Sequence, residues 1–94
     1  MSRSASNAKR FKNAPHAAWR RVEQETIVLD LNSSVYYSMN DTGSLIWDKL
    51  CAGVAPSEVV ELLCANFDVT PATASKDTAE FADRLQKEKL LVEA

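Results

Sequence analysis

The stretch VYYSMNDTGSLIWDKL (residues 35–50) begins with the residue types of a strand and continues as a helix, with almost no loop between them. Residues 35–39 are mostly β-branched and aromatic, a composition that fits a pleated, half-buried surface. Asn40 and Asp41 are helix-capping types, and the apolar residues that follow recur at helical spacing. We therefore predict a strand over Val35–Met39 that runs directly into a helix.

Two further strand patterns precede this stretch. Trp19–Val22 is a short candidate, and Thr26–Leu31 is the clearest strand of the chain. Because alternate residues of a strand face the same side, we expect the aliphatic residues Ile27, Leu29 and Leu31 to face a core. The small polar residues 32–34 form a turn that is short enough for a hairpin. Three strands at this spacing predict an antiparallel meander with Thr26–Leu31 in the middle and Val35–Met39 at an edge.

Three helices are predicted after the strands. The first runs from about Asp41 to Cys51, and Gly53 follows where a left-handed cap residue is expected. The second opens at residues 56–58 with Ser57 as its cap, and the third begins near Thr70, with a proline at its first helical position. A short apolar segment at residues 90–92 closes the core. The predicted fold class is α+β, a winged helix-turn-helix in which a three-stranded antiparallel sheet is followed by three helices.

Charge divides the chain into two parts. Residues 1–21 carry six basic side chains and no acid, whereas residues 22–94 carry thirteen acids and five basic side chains. The basic head is also rich in serine, alanine and asparagine, which favours disorder. We therefore predict a flexible basic tail over residues 1–15 and one small folded domain over residues 16–94. The sequence contains neither a bilayer-length apolar run nor the apolar segment of a secretory signal, so a cytoplasmic protein is expected.

The sequence offers few of the polar groups that a reaction needs. His16 is the only histidine, so a metal site or catalytic dyad lacks the partner that it requires. Cys51 and Cys64 lie in helical apolar patterns and are interpreted as two buried thiols rather than a disulfide. The sequence has neither a glycine-rich phosphate loop nor a nucleophile elbow. We therefore predict no enzymatic activity, no cofactor and no metal.

Several binding functions remain open. A winged helix could be a DNA-binding regulator that uses the basic N-terminal arm, but the third helix has balanced charge where a DNA reader needs basic residues. Alternatively, Val35–Met39 carries neither the lysine nor the proline that usually blunts an edge strand, so it is a template for another strand. This edge is either covered by the third helix or open to a peptide. A third reading is an adaptor that docks constitutively on an enzyme.

The order of motifs resembles that of the PqqD-like family, the precursor-peptide recognition elements of pathways that make ribosomally synthesised, post-translationally modified peptides. Residues 35–47 resemble the family signature of a tyrosine followed by Leu-Asn, Thr-Gly and Ile-Trp, with Met39 where leucine is commoner. Residues 56–60 and 67–69 resemble the second helix of the family. The third helix and closing segment are matched by Asp77, Phe81, Leu85 and residues 90–92. The resemblance covers about residues 19–92.

This resemblance implies that a leader peptide adds as a strand to the edge of Val35–Met39 and lies in the groove beside the third helix. The domain would then present the peptide to a separate modifying enzyme, such as a radical SAM enzyme, a leader peptidase or a cyclase. The backbone of the strand would supply the hydrogen bonds, through Val35, Tyr36, Tyr37, Ser38 and Met39. The other wall would be formed by Asp77, Phe81, Arg84, Leu85 and Glu88. We expect Tyr37 and Met39 on the core side of the strand and Tyr36 and Ser38 on the other, with neither a membrane nor a nucleic acid as partner.

Overall fold

The computed structural model describes residues 9–94, which form two small antiparallel sheets and three helices. The larger sheet contains β2 (Ala17–Val22), β3 (Glu25–Asp30) and β4 (Val35–Met39), with β3 in the middle. The helices are α1 (Asp41–Cys51), α2 (Pro56–Asn66) and α3 (Pro71–Lys87). The second sheet pairs β1 (Phe11–Asn13) with β5 (Leu91–Glu93). The predicted α+β winged helix-turn-helix is confirmed.

The β1–β5 sheet joins the two ends of the described chain. Phe11 is 4% exposed and Ala14 is fully buried, and the Ala94 N–H donates to the Arg10 carbonyl oxygen over 2.9 Å. The Lys9 ammonium lies 3.0 Å from the Glu93 carboxylate. Residues 11–14, which the sequence assigned to the tail, are therefore part of the fold. The remainder of the predicted flexible tail, residues 1–8, lies outside the described residues.

The middle strand buries the face opposite to the one predicted. Thr26 and Val28 are fully buried and Asp30 is 8% exposed, whereas Leu31 is 57% exposed. The polar side chains tolerate burial because they are hydrogen-bonded: Arg21 Nε donates to Thr26 Oγ1 over 3.0 Å, and the Asp30 carboxylate accepts backbone N–H groups. The expectation that Ile27, Leu29 and Leu31 face the core was therefore wrong, and Ile27 and Leu29 lie half-exposed on the outer face.

The core lies between the inner face of the larger sheet and the three helices. Trp47 of α1 is fully buried at its centre. The Trp19 ring meets the Trp47 ring edge-on, with centroids 6.2 Å apart and an interplanar angle of 83°. The same core cluster contains aliphatic residues of α1 and α2, including Leu50, Val59 and Leu63. This packing fixes the position of α1 against the sheet.

Helix caps agree with the prediction in two of three helices. The Asn40 side chain accepts the backbone N–H three residues on, and so does the Thr70 side chain. Gly53 follows α1 with a positive φ of 87°, as a left-handed cap requires. The prediction of Ser57 as a cap was wrong, because the cap position lies two residues earlier, at Ala55, and has no side-chain bond. None of the described helices is both long and apolar enough to cross a membrane.

Asp30→Asn is expected to make stability less dependent on pH. Burial opposes ionisation of Asp30, but the N–H groups of Asn32 and Ser33 outweigh it and leave the pKa below its usual value of 3.8. A carboxyl group with a lowered folded-state pKa stabilises the fold above its unfolded pKa, and that contribution is lost as the pH falls through the folded pKa. Urea midpoints measured from about pH 7 down to about pH 2 should therefore fall less for Asp30→Asn than for the wild type. Asp68→Asn, at an exposed position, is the control, and parallel curves for wild type and Asp30→Asn would contradict the prediction.

Candidate functional site

Of the two edges of the larger sheet, β4 is the one without charge. β2 carries Arg20 and Arg21, and charged side chains discourage pairing with another strand. β4 has the sequence VYYSM, with neither a charge nor a proline. β4 lies at an edge of the sheet, as predicted from the meander, and is the less protected of the two edges; its unpaired side is called the open edge below.

The register of the sheet shows which backbone groups of β4 are free. The Leu31 N–H donates to the His16 carbonyl oxygen over 2.8 Å, so the odd-numbered residues of β3 direct their backbone groups to β2. The even-numbered residues bond to β4, in the pairs Thr26–Met39, Val28–Tyr37 and Asp30–Val35. The N–H and C=O groups of Tyr36 and Ser38 consequently point to the open edge. These two donors and two acceptors are available to an added strand.

Side chains of β4 alternate between the two faces as predicted. Met39 is 6% exposed and Tyr37 packs partly against the core, whereas Tyr36 is 70% exposed and Ser38 is also exposed. A strand added at this edge would continue the same alternation. Its side chains opposite Tyr37 and Met39 would face the helices, and those opposite Tyr36 and Ser38 would face outward.

Helix α3 lies alongside β4, and the space between them is called the groove below. Asp77, Phe81 and Arg84 recur at helical spacing, and Phe81 is half-buried. The Tyr37 hydroxyl donates to the Glu88 carboxylate at the C-cap of α3, with 3.1 Å between Oη and Oε1. Burial, this bond and the negative charge of Glu88 together raise the pKa of Tyr37. The bond joins the Tyr37 side chain of β4 to the C-terminal end of α3.

A cleft of about 490 Å³ lies where the end of β4 meets α1 and α3. Its lining residues are Asn40, Thr42, Gly43, Ile46, Asp77, Glu80, Phe81 and Arg84. A Cβ atom on Gly43 would lie 3.4 Å from the Met39 Cβ and 3.5 Å from the Phe81 Cζ, which are ordinary van der Waals distances, so Gly43 of α1 lies next to both the end of β4 and α3. The predicted Leu85 is 4% exposed and packs in the core instead of lining this cleft.

Sequence reasoning missed the part of the cleft that α1 and Glu80 provide. Gly43 stands in the first turn of α1 although glycine lowers helix propensity, and the structure places it in the cleft lining. Glu80 lies three residues after Asp77 and four before Arg84, a spacing that places it on the same side of α3. Asn40 was identified as a cap, but its place beside α3 depends on the tertiary fold.

A second depression, of about 300 Å³, lies on the other side of α1. There an Arg21 guanidinium nitrogen is 3.5 Å from the Ser44 carbonyl oxygen and 3.9 Å from the Asp48 carboxylate. The same side chain also donates to Thr26. Because these polar groups already pair with one another, we interpret the contacts of Arg21 as structural contacts that hold α1 against the sheet.

The two cysteines and the possible metal ligands of the described chain can be compared with the predictions. Cys51 and Cys64 are free. Both were predicted to be buried, but each is only half-buried. Burial, with a smaller effect of Asp48, raises the pKa of the Cys51 thiol to about 12, so this thiol is protonated at neutral pH. Within residues 9–94, no group of three or more His, Cys, Asp or Glu side chains could hold a metal ion.

Comparison with known proteins places the chain in a family. The sequence profile described as coenzyme PQQ synthesis protein D (PqqD) matches residues 25–91. The solved structure of TbiB1 in complex with the TbiA(beta) leader peptide is 29% identical, with a TM-score of 0.79 over 85% of this chain and 93% of that one. Lasso peptide synthetase B1 complexed with the leader peptide is 26% identical, with a TM-score of 0.80 over 87% of this chain and 96% of that one. No curated protein matches significantly. The chain therefore belongs to the PqqD family.

Proposed function

We propose that this protein is a non-catalytic recognition element that binds the leader region of a ribosomally synthesised precursor peptide by adding it as a strand to β4. The observation that carries the proposal is the open edge at Tyr36 and Ser38, which lies beside the groove to α3. The two similar solved structures are both complexes with leader peptides, which supports the proposal. Strand addition is also a common way of binding an extended peptide.

The groove supplies the two kinds of contact that strand addition uses. The four backbone groups of Tyr36 and Ser38 set the register, and each hydrogen bond contributes about 0.5–1.5 kcal/mol. One apolar anchor in the Phe81 cleft would add roughly 1.5–3 kcal/mol, whereas ordering a flexible peptide costs about 2–5 kcal/mol. Affinity is therefore modest, and specificity comes from the side-chain pockets.

In this proposal a separate enzyme carries out the chemistry on the bound peptide. The domain presents the peptide to a modifying enzyme such as a radical SAM enzyme, a leader peptidase or a cyclase. Binding along β4 leaves the parts of the peptide on either side of the strand free, because the open edge is only five residues long. A partner can thus act on the peptide while its leader remains bound.

A DNA-binding regulator receives less support. The helix that would enter the major groove is α3, and this helix with its C-terminal end carries as many acidic as basic side chains. Its acids are Asp77, Glu80, Asp83 and the C-cap Glu88, against Lys76, Arg84, Lys87 and the following Lys89. Phosphates would be repelled about as often as attracted. Both similar solved structures contain a leader peptide.

Phe81→Asp is expected to weaken leader binding by roughly 10- to 100-fold, since it removes an apolar anchor worth about 1.5–3 kcal/mol. The measurement is fluorescence anisotropy with labelled leader peptides from the precursors encoded near this gene. Phe81→Leu is the matched control and should keep most of the affinity, because it preserves an apolar cleft. If the wild type binds none of the neighbouring leaders, the proposed function is wrong.

A further inference from the structure

The direction of α3 relative to β4 decides which of its charged residues lie past the end of the strand. The Tyr37 hydroxyl of β4 bonds to Glu88, the C-cap of α3. At the end of β4, Met39 lies next to Gly43, and Phe81 of α3 also lies next to Gly43. Helix α3 therefore runs opposite to β4, and its earlier residues lie beyond the end of the strand. This places Asp77 and Glu80 at the mouth of the cleft.

The floor of the cleft is apolar. Ile46 is 2% exposed, Phe81 is half-buried, and Gly43 adds no side chain. A peptide residue opposite Met39 would direct its side chain to this floor, because it lies on the helix side of the sheet. An apolar side chain fits this position.

The mouth of the cleft is acidic. Asp77 and Glu80 are exposed, and neither takes part in an ion pair among residues 9–94. The positive end of α1 does not offset them, because the Asn40 side chain accepts the Gly43 N–H and the Asp41 carboxylate accepts the Thr42 N–H. Arg84 is the one cation of the cleft lining, and it follows Phe81 on the side towards Glu88.

We propose that the bound segment pairs an apolar anchor with a basic residue. The apolar side chain occupies the Phe81 cleft opposite Met39, and a lysine or arginine two or three residues away pairs with Asp77 and Glu80. The basic residue lies on the part of the peptide that continues past the end of β4. This inference rests on the proposed strand addition and specifies the class of peptide that the groove takes.

Selection from a phage-displayed library of random peptides tests the inference, with peptides of about twelve residues so that they span both the strand and the mouth. The wild type should enrich peptides with an apolar residue and a lysine or arginine two or three positions from it. The charge-reversed variant Asp77→Lys/Glu80→Lys should keep the apolar residue but enrich an acid in place of the base. Glu61→Lys/Asp68→Lys, which makes the same charge change at exposed positions outside the cleft, should select the same peptides as the wild type.

Synthetic versions of the enriched peptides provide the quantitative test. A wild-type-selected peptide should bind the charge-reversed variant about tenfold more weakly, and its lysine-to-glutamate version should recover that loss. Peptides without a charge preference, or with the same preference in both proteins, would overturn this inference. The variant Ser38→Pro separates this inference from the proposed function. Selected peptides that bind Ser38→Pro as well as the wild type do not add to β4, which contradicts the proposed function. Selected peptides that lose binding to Ser38→Pro but contain no basic residue contradict the charge inference alone.

Discussion

Ser38→Pro is expected to abolish measurable leader binding while the protein remains folded. The Ser38 N–H points to the open edge, so a proline removes a donor that only an added strand would use. The ring also projects towards the incoming backbone and weakens the neighbouring contacts with Tyr36. We expect affinity to fall by more than about 100-fold, since several strand bonds of about 0.5–1.5 kcal/mol each are lost together.

Two substitutions in the same strand are controls for this effect. Ser38→Ala keeps the backbone donor and changes only an outward-facing side chain, so it should bind like the wild type. Tyr37→Pro instead removes an N–H that pairs with Val28 of β3, and it should unfold the sheet. Anisotropy gives the affinity and far-UV circular dichroism the fold. If Ser38→Pro binds normally, the leader does not add to this edge.

Trp47→Ala is expected to destabilise the protein by about 3–5 kcal/mol, a large share of the roughly 5–15 kcal/mol that holds a small domain folded. Trp47 is fully buried between the sheet and the helices, and its ring packs edge-on against Trp19. Alanine leaves a cavity that α1 cannot close without moving away from the sheet. Because α1 carries Gly43 and Ile46 of the cleft, peptide binding should weaken together with stability.

Trp47→Phe is the matched control for the core. The indole Nε1 of Trp47 has no hydrogen-bond partner among the described residues, so phenylalanine removes a buried polar group that gains nothing in the fold. The cost should therefore be well below that of alanine, about 1–2 kcal/mol. Urea unfolding followed by circular dichroism measures both variants. If Trp47→Phe and Trp47→Ala lose the same free energy of unfolding, the packing of an aromatic ring at this position contributes less to stability than we argue.

Elements with a strong local pattern could be predicted from the sequence. The strand–helix junction at residues 35–50 has β-branched and aromatic residues before its cap and helical spacing after it, and the structure confirms both β4 and α1. The buried face of β3 could not be predicted from hydrophobicity, because it carries the polar residues Thr26 and Asp30, which bond to a cross-strand arginine and to turn N–H groups. The three-residue strand β1 is too short to carry a periodicity, and it forms only through its pairing with β5.

The candidate site was predictable where it lies on one element and not where elements meet. The edge position of β4 followed from the strand order, and the place of Phe81 beside it followed from the resemblance to the PqqD-like family. The cleft requires the first turn of α1 to meet α3, and their close approach at Gly43 and Phe81 is a tertiary contact. Leu85 lies four residues after Phe81 on the same helix, yet Leu85 is buried and Phe81 only partly so, and this difference depends on how α3 packs in the tertiary fold.

The pairing of β1 with β5 makes this domain suitable for insertion into a larger protein. The backbones of Arg10 and Ala94 are joined by a hydrogen bond of 2.9 Å, so the polypeptide enters and leaves the fold at one point. The groove is built from β4, α1 and α3, none of which contains these ends. A host enzyme could therefore carry the domain within one of its surface loops, and a circularly permuted chain could join the two ends, without rebuilding the groove.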